Sequence, residues 1–91
     1  MKSAYEIAME RLNKTAPQAK LSAEQKQEIA DLESRYAAKV AEREITLKGE
    51  IARAEAAGDT DEAESVRKQL AHERAKLQAE LEDKKESVRR R

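Results

Sequence analysis

Folded back on itself at Gly58-Asp59, the chain brings apolar residues into pairs whose numbers add to 117: Ala54 with Ala63, Ile51 with Val66, Leu47 with Leu70, Val40 with Leu77, Tyr36 with Leu81, and Ile29 with Val88. Two antiparallel helices joined by a tight turn place mirrored positions at the same level along a shared seam. The mirror therefore predicts an all-α fold, a long antiparallel two-helix coiled-coil hairpin. A second regularity agrees with it. Ile29, Val40 and Ile51 are eleven residues apart, as are Tyr36 and Leu47, Val66, Leu77 and Val88, and Leu70 and Leu81. Eleven residues in three turns give about 3.67 per turn, which predicts a nearly straight or slightly right-handed seam. A seven-residue count from Ile29 would instead put Lys39, Arg43 and Thr46 in the seam, so a strict heptad is excluded.

Composition enters as a limit on anything more compact. With 91 residues, 42% of them charged, 2% aromatic, and no Phe, Trp or Cys, the chain has little material for a globular core. Such a balance belongs to long helices or to disorder; regular apolar spacing and clear helix punctuation favour helices. Ser22 and Gln25 have the spacing of a capping box, opening a helix from Ala23 to about Ala57, with Gly49 its one weak point. Gly58 can close that helix in the left-handed conformation while Asp59 or Thr60 caps the next, which runs toward Arg89. Acidic residues open this second helix and basic ones close it, as the helix dipole favours.

Upstream, Ser3 and Glu6 repeat the capping-box spacing, and Met1, Tyr5, Ala8, Met9 and Leu12 make an apolar face ending near Asn13 to Pro17. Residues 1–21 are thus expected to hold a short N-terminal helix and a Pro-containing linker, and residues 22–91 the hairpin, with its turn at 58–60. The short helix is expected to fold back through Tyr5, Met9 and Leu12 onto the open end near Ile29, Leu32, Tyr36 and Leu81, or to lie on another chain.

The mirror also sets charges against each other. Arg43 and Glu44 come opposite Glu73 and Arg74, so that Arg43 can reach Glu73 and Glu44 can reach Arg74. Nearer the open end Arg35 faces Glu82, Glu33 faces Lys84 and Glu28 faces Arg89, with Asp31 against Glu86 a mismatch. Exposed pairs contribute about 0–1 kcal/mol each, against about 1.5–3 kcal/mol for burying one Leu or Ile. Apolar layers set stability and the charges help to select register.

The functional reading is narrow. No Gly-rich phosphate loop, no Ser/His/Asp set and no thiol is present, and the one histidine, His72, falls on the outer face without a partner acid. No enzyme activity, metal or cofactor is expected. Basic and acidic residues number 19 each, ten of each up to Gly58 and nine of each after it, so no net field draws the chain to nucleic acid or to a membrane. No apolar run suggests a signal or a membrane span, and a cytoplasmic location is the default. What remains is a non-enzymatic structural or protein–protein interaction module. Opposite the seam, Ala38, Ala41, Ile45, Gly49, Ala52 and Ala56 form a stripe of small residues with one large anchor, a candidate face for a second copy or a helical partner. A solvated face of good helix formers has the same composition. The alternative is weak nucleic-acid binding through the basic end, Lys84, Lys85, Arg89, Arg90 and Arg91, although a basic last turn suits a helix C-terminus in any case.

Overall fold

The structure is a computed structural model that describes residues 3–7 and 20–91. Two long helices pack against each other: α1, Ala23–Ala56, and α2, Thr60–Arg89. Ahead of them residues 4–7 are helical, with the Ser3 hydroxyl accepting from the Glu6 amide at 3.2 Å. The expected helix limit at Asn13 and the Pro17 stop lie outside the described residues.

Each boundary has a local cause. At the start of α1 the Ser22 hydroxyl accepts from the Gln25 amide at 3.0 Å, while the Gln25 side-chain carbonyl accepts from the Ser22 amide at 2.9 Å. This capping box satisfies amides that have no partner within the helix. At the other end Gly58 takes φ 74°, and the Asp59 and Gly58 amides donate to the carbonyls of Ala54 and Glu55. That pair of bonds is a Schellman closure. Asp59 then caps α2, its carboxylate accepting from the Glu62 amide at 3.0 Å. One residue thereby ends the first helix and begins the second, leaving only residues 57–59 to reverse the chain.

The seam follows the mirror. Tyr36, Leu47 and Ala54 of α1 and Ala63, Val66, Leu70 and Val88 of α2 are buried. The densest part lies toward the turn, where Leu47, Val66 and Leu70 form one cluster with Ile51 against it. Small Ala54 and Ala63 are both buried beside the turn. Farther out, Ile29, Leu32, Val40, Leu77 and Leu81 are only half-buried. Two helices alone leave each of these residues open on at least one side.

The central charge layer forms as expected: Arg43 contacts Glu73 at 3.1 Å and Arg74 contacts Glu44 at 2.9 Å. The outer pairs differ from expectation. Glu33 holds Lys85 at 3.1 Å, not Lys84, and Glu28 holds Arg91 at 2.6 Å, not Arg89. Glu82 lies near Lys85 and accepts from Gln78, with no contact to Arg35. The reason is geometric. Mirrored numbers assign two residues to the same level, but residues away from the seam centre meet only if they lie on the same flank of the pair. Glu33 and Lys85 share a flank; Glu33 and Lys84 do not. Lys84 instead places its ammonium 5.4 Å from the Tyr36 ring centre, with Lys39 at 4.6 Å.

Candidate interaction face

Because α1 turns its Tyr36, Leu47 and Ala54 inward, the side of the helix 180° away is left without a partner among the described residues. That side carries the small-residue stripe. Ala38, Ala41, Ala52 and Ala56 are exposed, Gly49 is half-exposed, and Ile45 is 76% exposed at the centre. All six residues lie on one continuous face within an unbroken helix, as their spacing of three and four requires. A Cβ built on Gly49 would meet only the end of the Arg53 side chain, at 3.6 Å. Nothing among the described residues therefore requires glycine there.

Sequence reasoning did not find the grooves beside the seam. On one flank Tyr36, Val40, Ala41, Leu77 and Leu81 line a groove of about 350 Å³. Its edge at Ala41 is also part of the stripe, so apolar surface continues from the half-open seam onto the outer face of α1. On the opposite flank a groove of about 500 Å³ runs past Leu32, Arg35, Lys84 and Val88. The half-burial of the open-end layers was foreseeable in kind, since one pair of helices cannot enclose Leu and Val side chains.

Of the five residues of the basic end, Arg89, Arg90 and Arg91 line one groove with Lys20, while Lys84 and Lys85 stand apart from it on opposite flanks. Lys85 is folded against the seam, 14% exposed, between Glu33 and Glu82. Arg89 and Arg90 both approach Glu86, at 3.7 and 3.1 Å, and Arg91 is held by Glu28. Lys84 lies over Tyr36 on the other flank. Much of the positive charge is thus matched locally by carboxylates.

Tyr5 is 73% exposed and does not occupy the expected seat on the open end. Met9 and Leu12 lie outside the described residues. Among the described residues no group of acidic, His or Cys side chains is arranged to hold a metal ion. His72 is exposed. No helix among them is long and apolar enough to cross a membrane.

Fold and face together define an antiparallel helical hairpin whose outer helix sides have no partner among the described residues. No family model, curated protein or solved structure matches the chain.

Proposed function

We propose that this chain is a non-enzymatic interaction module whose hairpin self-associates through the outer face of α1. The observation that carries the reading is Ile45, a large aliphatic side chain held 76% exposed at the centre of a stripe of Ala and Gly. Small residues let a second helix backbone approach closely, and a single protruding Ile gives that approach an apolar anchor. A two-fold axis through Ile45 would pair Ile45 with its own copy and set Ala41 against Gly49 of the second copy and Ala38 against Ala52, small against small on either side of that central contact, in the self-complementary pattern of an isologous interface. Burial of Ile45 would add apolar contact to a two-helix core that is thin by itself.

Light scattering tests the proposal. Wild type should give twice the 10.3 kDa chain mass, and Ile45→Asp should give the single-chain mass with unchanged helix content. A strictly monomeric wild type at about 1 mM, where even an association of about 4 kcal/mol would register, would remove self-association. The nucleic-acid reading has less support, since Lys85, Arg89, Arg90 and Arg91 sit against carboxylates and no aromatic platform accompanies them.

A further inference from the structure

At the free end of the hairpin one amide side chain bonds to both helices. The Gln25 carbonyl accepts from the Ser22 amide at 2.9 Å, and its NH₂ group donates to the backbone carbonyl of Val88 at 2.9 Å. An antiparallel pair brings the start of one helix, with its unpaired N–H groups, beside the end of the other, with its unpaired C=O groups. The Val88 carbonyl belongs to the last turn of α2, where it also accepts from the Arg91 amide at 3.3 Å. Glutamine has an acceptor and donors on one planar group and can serve both ends at once.

We infer that Gln25 is a double cap, closing the capping box of α1 and the last turn of α2 together, so that these two helix ends order and fray as one unit. The surroundings fit. Val88 is buried, Leu21 is half-buried in the groove that Gln25, Glu86 and Arg89 also line, and Arg91 crosses to Glu28. The chain upstream of the hairpin enters at Leu21, one residue before the cap, so anything that displaces Leu21 acts on the last turn of α2 as well. The latch does not depend on self-association.

Gln25→Glu separates the two bonds. Glutamate is an ordinary partner in a capping box and suits a helix N-terminus, but its carboxylate cannot donate to Val88. By helix rules alone the change is neutral or stabilising. As a double cap it should make the amides of residues 86–90 exchange with solvent about two- to tenfold faster, the range set by one net hydrogen bond, while the first turn of α1 keeps its protection. Gln25→Met, which removes both bonds, should loosen both ends. Gln69→Glu, the same charge change at an exposed position on α2, is the control. Amide exchange at residues 86–90 in Gln25→Glu no faster than in that control would overturn the inference, as would loosening confined to α1 in Gln25→Met.

Discussion

Leu47 is the most enclosed large side chain of the hairpin, 1% exposed and packed against Val66 and Leu70. Truncation to Ala should cost about 2–5 kcal/mol, since a rigid seam cannot close over the missing atoms. Domains of this kind hold only about 5–15 kcal/mol in total, so urea unfolding of Leu47→Ala should shift to a much lower midpoint. Gly49 makes the opposite case. Its added methyl would touch only the Arg53 side chain, and Ala in mid-helix is favoured over Gly by about 0.5–1 kcal/mol. Gly49→Ala should therefore raise the melting temperature of the hairpin. If the second copy approaches at Gly49, the same change should weaken the dimer, measurable by sedimentation as a faster fall in mass on dilution.

At the scale of elements, the turn carries the strictest requirement. Gly58 at φ 74° has no neighbour within 4 Å of an added Cβ, so Gly58→Ala tests conformation without a steric clash and should cost about 1–2 kcal/mol. Asp59→Ala, which removes the cap on α2, should cost about 1 kcal/mol. Both are read from the denaturation midpoint. The helices and their turn were legible because capping chemistry is local: Ser22, Gln25, Gly58 and Asp59 act within a few residues of themselves. The central Arg43 and Glu73 pairing was legible because it lies close to the seam. The outer partners of Glu33 and Glu28 were not, because a mirror in residue number ignores which flank a side chain occupies. Gln25 was read as a cap for α1 alone; its second bond spans 63 residues and has no local signature.

For the whole molecule, the mirror specifies a seam that is closed near Leu47 and Leu70 and half-open toward Val40, Leu77 and Leu81. Ile45 stands exposed on the outer face of α1, and it was legible from sequence as the large residue outside the seam. The continuity of that face with the groove at Ala41 was not, because it depends on how far apart the helices stand. If a second copy completes the fold, stability must depend on concentration, since whatever binds the folded state raises its melting temperature by mass action. The most direct measurement is thermal unfolding by circular dichroism over about a hundredfold range of protein concentration, for wild type and for Ile45→Asp. Self-association through α1 predicts a melting temperature that climbs with concentration in wild type and stays flat in Ile45→Asp. A wild-type melting temperature that does not move with concentration would contradict it.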